Sequence, residues 1–116
     1  MRKLLIALTA LTLTASSCKT VYSTTTIEAK KSFVLGDNEH DAFEATLKNI
    51  STEDLELFQM PNGGAKQLIQ ILNSNKSATV KIEKNTALYI ENKSNSKASV
   101  ELNLKSNSHL SMGYKN

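Results

Sequence analysis

From Ile27 onward, apolar and polar residues alternate in short runs cut by turn residues. Phe43, Ala45 and Leu47 alternate with Glu44, Thr46 and Lys48, and Leu55 and Leu57 flank Glu56. Ala78, Val80 and Ile82 alternate with Thr79, Lys81 and Glu83, and Leu88 and Ile90 follow a Lys84-Asn85 turn. Ala98, Val100, Leu102 and Leu104 alternate with Ser99, Glu101, Asn103 and Lys105, and Leu110, Met112 and Tyr114 form a last set. Ser32 to Leu35 and Leu68 to Leu72 are denser apolar runs, each closed by turn residues. A period of two sends one set of side chains to a core and the other to water. Such runs, recurring every 8 to 12 residues or so, predict an all-β fold. The expected architecture is a small antiparallel β-sandwich, immunoglobulin-like or jelly-roll-like, over residues 27–116. Its clearest part, Ser77 to Lys105, reads strand, turn, strand, loop, strand, in the manner of a meander. Val80, Ile82, Leu88, Ile90, Val100, Leu102 and Leu104 are the expected core.

Two segments admit two readings. His40 to Asn49 can be a helix, since Phe43 and Leu47 are four apart and Glu44 and Lys48 form an i, i+4 pair. Its alternation fits a strand, which the neighbouring strands favour. Lys19 to Thr26 is polar and threonine-rich, and reads as a tether. Alternatively Val21 to Ala29 is already a strand, because Val, Tyr and Thr favour strands.

The first residues follow a different pattern. Arg2 and Lys3 precede an apolar run from Leu4 to Thr14, then Ala15, Ser16, Ser17 and the chain's one cysteine, Cys18. A membrane span needs about 20 apolar residues, and this run is about half that. Positive, apolar and then small residues are the order of a secretory signal peptide. With the cysteine in place, Ala15-Ser16-Ser17-Cys18 resembles the lipobox of a bacterial lipoprotein precursor. That resemblance covers residues 1–18 only. It implies cleavage between Ser17 and Cys18, a lipid on the Cys18 thiol and a membrane-anchored mature protein. The expected division is a signal peptide over 1–17, a lipidated N-terminus and tether over 18–26, and the β-sandwich over 27–116. Lys19 stands where enteric lipoproteins held at the inner membrane carry aspartate. The expected location is therefore the cell envelope, at the outer membrane facing the periplasm. No cysteine follows Cys18, so neither a disulfide framework nor a thiolate metal site is available downstream.

Charge changes the picture once the signal is set aside. The precursor's net +3 includes Arg2 and Lys3; without them, twelve lysines face eleven acidic residues. Arginine, the preferred fork for phosphate and guanine, is then absent. The sequence therefore predicts no nucleic-acid partner. Three Asn-x-Ser triplets, at Asn49, Asn75 and Asn92, read as products of an Asn- and Ser-rich composition.

Candidate chemistry is sparse. Asp37, Glu39, His40 and Asp41 crowd one turn and are the weak candidates for a metal site. A polar loop joining two strands needs such residues for solvation, and the expectation is no metal and no cofactor. His40 and His109 are the two histidines, and no serine sits in a G-x-S-x-G context. The sequence predicts a protein that is not an enzyme. Catalysis would need one of these histidines in a cleft beside a carboxylate and a serine. Pro61 to Gly64 is the strongest turn signal, with Phe58 and Met60 beside it; Phe58 falls on the face opposite Leu55 and Leu57. The first functional reading is a non-catalytic protein-binding or assembly accessory module among envelope proteins. The alternative is a module binding a glycan or small ligand, which a cluster of Tyr22, Tyr89 and Tyr114 around one concave site would favour.

Overall fold

The computed structural model describes residues 19–116; Ser17 and Cys18, and with them the lipidation site, lie outside the described residues. Among the described residues nine strands follow one another: β1 (Lys19–Ile27), β2 (Ser32–Leu35), β3 (Phe43–Asn49), β4 (Leu55–Pro61), β5 (Gln67–Leu72), β6 (Ser77–Ile82), β7 (Thr86–Glu91), β8 (Ala98–Ser106) and β9 (Met112–Lys115). They form two antiparallel sheets, one ordered β1-β8-β3-β6 and the other β5-β4-β7-β2-β9. The all-β sandwich expected from the alternation is the fold. His40–Asn49 is not helical: β3 buries Phe43, Ala45 and Leu47 and turns Glu44, Thr46 and Lys48 outward.

The core lies between the sheets. All seven residues expected there are buried, joined by Ile27, Phe33, Leu35, Leu47, Leu55, Leu57, Leu72 and Leu110 among others. At about 25 cal/mol per Å² of apolar surface removed from water, these apolar side chains dominate the stabilisation.

Two expectations are corrected. Lys19–Thr26 is strand rather than tether, pairing residue for residue with Ser106 back to Ala98. The alternative reading, a strand from Val21, is the one that holds; with only Val21, Ser23, Thr25 and Ile27 at inward positions, the half-polar inner face made the tether reading the first one. Nor is Ser77–Lys105 a meander: β6 pairs with β3, β7 with β2 and β4, and β8 with β1 and β3. Each of these successive strands crosses to the other sheet. Among the described residues β4 and β5 alone make a hairpin, with Gly63 at its tip in the left-handed region (φ 77°).

Two of the three Asn-x-Ser triplets are structural. Asn49, fully buried, donates from Nδ2 to the carbonyls of Glu53 (2.6 Å) and Leu72 (2.9 Å). Its Oδ1 accepts from the Ser51 amide (3.0 Å) and hydroxyl (2.6 Å). Asn92 repeats the design. Its Nδ2 donates to Ile27, Glu28 and Ser96, and its Oδ1 accepts from the Ser94 amide (3.0 Å) and hydroxyl (2.7 Å). Each asparagine thus closes its own crossover loop and ties it to the neighbouring one. Asn75, by contrast, is exposed and left-handed (φ 63°).

Candidate functional site

The outer face of the five-stranded sheet is apolar where a solvated face would alternate to polar. Leu55 and Leu57 point into the core, so Glu56, Phe58 and Met60 point out. On β7, Leu88 and Ile90 fill the core while Ala87, Tyr89 and Glu91 face outward; on β2, Val34 does. Register lines these residues up. Leu68 stands opposite Phe58, Phe58 opposite Tyr89, Tyr89 opposite Val34, and Val34 opposite Gly113. One apolar row crosses all five strands, with Met60 beside Ala87 as its neighbour; Val34, Ala87 and Tyr89 at its centre are buried. Leu68 (55 %) and Ile71 (48 %) remain exposed at its β5 end, while Phe58 and Met60 are half-buried.

Lysines frame the row. The Lys66 ammonium lies 4.8 Å from the Phe58 ring centre and 5.3 Å from that of Tyr89, and Lys93 lies 5.8 Å from Phe58. Each is also paired, Lys66 with Glu91 and Lys93 with Glu56 at 2.9 Å. Glu56, by hydrogen bond and then by charge, holds the Lys93 pKa above its ordinary value. Lys115 is raised in the same way, by its hydrogen bond to Asp37 first and by Tyr89 next. The cations thus cover aromatic faces while their charge is balanced, which keeps the row from being simply an open apolar surface.

The row runs into a cleft of about 230 Å³. Met60 and Ala87 lie in it, with Gly36, Asp37 and Glu39 from the β2–β3 loop and Pro61, Asn62 and Gly63 from the hairpin. The acidic turn and the glycine-rich tip, unrelated in the sequence, thus line one cleft. Asn85, left-handed at φ 53°, ties it together. Its Oδ1 accepts from the His40 amide (2.9 Å), and its carbonyl accepts from the Asn62 amide (3.0 Å).

The candidate metal ligands do not converge. Asp37 is exposed and pairs with Lys115 at 3.0 Å; Glu39 and Asp41 are exposed. His40 is buried, with Nδ1 2.5 Å from the Asp41 carbonyl and Nε2 2.9 Å from the Thr86 carbonyl. Both acceptors are carbonyls, so a neutral ring satisfies one of them and the cation both. Among the described residues no three His, Cys, Asp or Glu side chains gather to hold a metal ion. His109 is exposed, and its carbonyl accepts from Asn38. The three tyrosines stand on three surfaces. Tyr22 is on the outer face of the four-stranded sheet, opposite Asn103, Tyr89 is on the outer face of the other, and Tyr114 lies 5.1 Å from Phe33 at its inner edge. They do not surround one concave site.

Sequence reasoning singled out Phe58 and Met60, named Tyr89 only with Tyr22 and Tyr114 as a ligand cluster, and missed Val34 and Leu68. The continuous apolar runs Phe33 to Leu35 and Ala87 to Ile90 were the available signal, because a strand buried on both faces loses its alternation.

No protein-family model matches the chain, and no curated protein matches its sequence. Solved structures do resemble it. The Yersinia pseudotuberculosis-derived mitogen matches with a TM-score of 0.50 and 17% identity over 76% of this chain and 86% of that one. An uncharacterised conserved protein with a double-stranded β-helix domain from Klebsiella pneumoniae matches at 0.53 and 12%, over 84% and 75%. CapF, a capsular polysaccharide assembling protein from Staphylococcus aureus, matches at 0.53 and 13%, over 72% of this chain and only 23% of its own. At these identities the likeness is one of fold. It nevertheless corrects the expectation that the chain is not an enzyme. About a quarter of CapF, a protein solved also with an inhibitor, matches this fold, and one fold hosts unrelated functions, so a missing sequence motif is no ground for excluding catalysis.

Proposed function

We infer that this chain is a lipid-anchored protein of the bacterial cell envelope whose sandwich binds another envelope protein through the outer face of the five-stranded sheet. The observation that carries the binding surface is the exposed pair Leu68 and Ile71 on β5, continuous through half-buried Phe58 and Met60 with the buried Tyr89 and Val34 behind them. Exposed apolar residues at the end of such a row, rimmed by charged residues, are the makeup of a small protein-docking surface. The signal-like segment ending at Cys18 supports the anchor and an outer-membrane site facing the periplasm. Anchoring raises the effective concentration of such a surface near its partner. The orders β1-β8-β3-β6 and β2-β7-β4-β5 support a sandwich of the jelly-roll type, which eight strands in two Greek keys define.

The surface is tested in intact cells with a photo-cross-linker placed in turn at Leu68, Ile71 and, on the other sheet, Thr79. The reading expects one heterologous adduct from Leu68 and Ile71 and none from Thr79. Equal adducts from all three sites would refute it. The anchor is tested separately by mass spectrometry of the N-terminal peptide, expected to begin at an acylated Cys18. A Cys18→Ser protein that still partitions wholly into membranes would overturn that part.

A further inference from the structure

The side of the sandwich where β1 and β9 end the two sheets differs from the opposite side. β1 pairs with β8 through nine consecutive residues without a bulge, and among the described residues nothing pairs with its other edge. Such an edge is a template for a further strand unless it is short, charged, bulged or proline-bearing. The other edges have these protections: β9 is four residues long and carries Lys115, β5 is bulged against β4, and β6 carries Lys81. From Thr20 to Ile27, β1 has no charge, proline or glycine.

The same side also concentrates exposed apolar surface. Of the seven exposed large hydrophobics among the described residues, four belong to these two strands: Val21, Tyr22, Met112 and Tyr114. Val21 and Met112 border a cleft of about 530 Å³ between the two edges, with Leu104 and Leu110 also in its lining.

We propose that β1 pairs antiparallel with β1 of a second copy, centred on Ser23, so that the two four-stranded sheets become one of eight. The strand is self-complementary in this register. Thr20 meets Thr26, Val21 meets Thr25, Tyr22 meets Thr24, and Ser23 meets its own counterpart. Directly opposed residues share a face, so Val21 is covered from the core side and Tyr22 from the outer side. The two Tyr22 residues are diagonal neighbours, within reach of aromatic side chains. From Thr20 to Ile27 the strand carries no charge, so no like charges meet across this register. This self-matching favours a second copy over the strand of another protein.

The test uses the full-length protein in its own membranes with Ser23→Cys. Opposed residues of an antiparallel pair lie about 4.5–5.5 Å apart between Cα atoms, inside the range of a disulfide. Mild oxidation should give a dimer band on a non-reducing gel, absent from wild type and from Thr79→Cys on the far edge. Adding Tyr22→Lys and Thr24→Lys, both exposed in a single copy, sets lysine opposite lysine twice and should abolish the band. Circular dichroism of that variant should stay unchanged. A Ser23→Cys protein that remains monomeric, cross-links no better than Thr79→Cys, or survives the paired lysines would overturn the proposal.

Discussion

Asn49→Ala is the sharpest test of how the crossover loops are held. The side chain is fully buried and makes four hydrogen bonds, two donated to the Glu53 and Leu72 carbonyls and two accepted from Ser51. At about 1 kcal/mol net for each, with further cost where a buried carbonyl is left unpaired, the loss is about 4 kcal/mol. That is a large share of a domain stability of about 5–15 kcal/mol. For a chain of this size it corresponds to a fall in Tm of about 15–30 °C. Asn75→Ala is the matched control, because the same residue type in the same Asn-x-Ser context is exposed there. It should change stability by about 0.5–1 kcal/mol, the smaller cost of an exposed left-handed position. Urea denaturation followed by circular dichroism measures both, since the chain has no tryptophan. If Asn49→Ala lost no more than Asn75→Ala, the asparagine would be a passive loop residue and the reasoning would fail.

Asn92→Ala should behave like Asn49→Ala, because its amide ties Ile27, Glu28 and Ser96 in the same way; thermal melts compare the two directly. Gly36→Ala should destabilise by about 1–3 kcal/mol, since φ is 76° and the added Cβ would meet His40 Nε2 at 2.9 Å; a melt equal to wild type would contradict this. Leu104→Ala should cost about 2–5 kcal/mol by opening a cavity between the sheets. Lys93 and Lys115 have raised pKa values, so their contribution is complete at neutral pH. It is lost only as alkaline pH passes first the ordinary lysine value and then the raised one. Both ammonium groups are exposed, so the alkaline loss in a pH titration of stability should be small and further reduced by salt.

The sandwich was legible because burial of one face imposes a period of two, as in Phe43–Leu47 and Ala98–Leu104. Pairing was not legible. Alternation says which face of β7 is buried but not that its neighbours are β2 and β4, which lie far away in the chain. β1 was legible only as an alternative: its Val, Tyr and Thr favour a strand, its polarity reads as tether, and nine backbone pairings with β8 decide for the strand. The outer-face row was half legible. Phe58 follows from Leu57 by parity, whereas Val34 and Tyr89 sit in runs with no alternation. Asn49 and Asn92 look like ordinary polar loop residues; the available clue was the same Asn-x-Ser following an apolar run twice.

The central claim is that the outer face of the five-stranded sheet is where a partner docks. The most direct measurement compares the protein captured with wild type after cross-linking in intact cells with that captured by Leu68→Glu/Ile71→Glu. Both residues are exposed in the free domain, so the substitutions should leave its circular dichroism and Tm unchanged. The account predicts that one envelope protein co-purifies with wild type and with a Thr79→Glu control, and is lost with the paired glutamates. Retention of that protein by Leu68→Glu/Ile71→Glu, or its loss with Thr79→Glu alone, would contradict it.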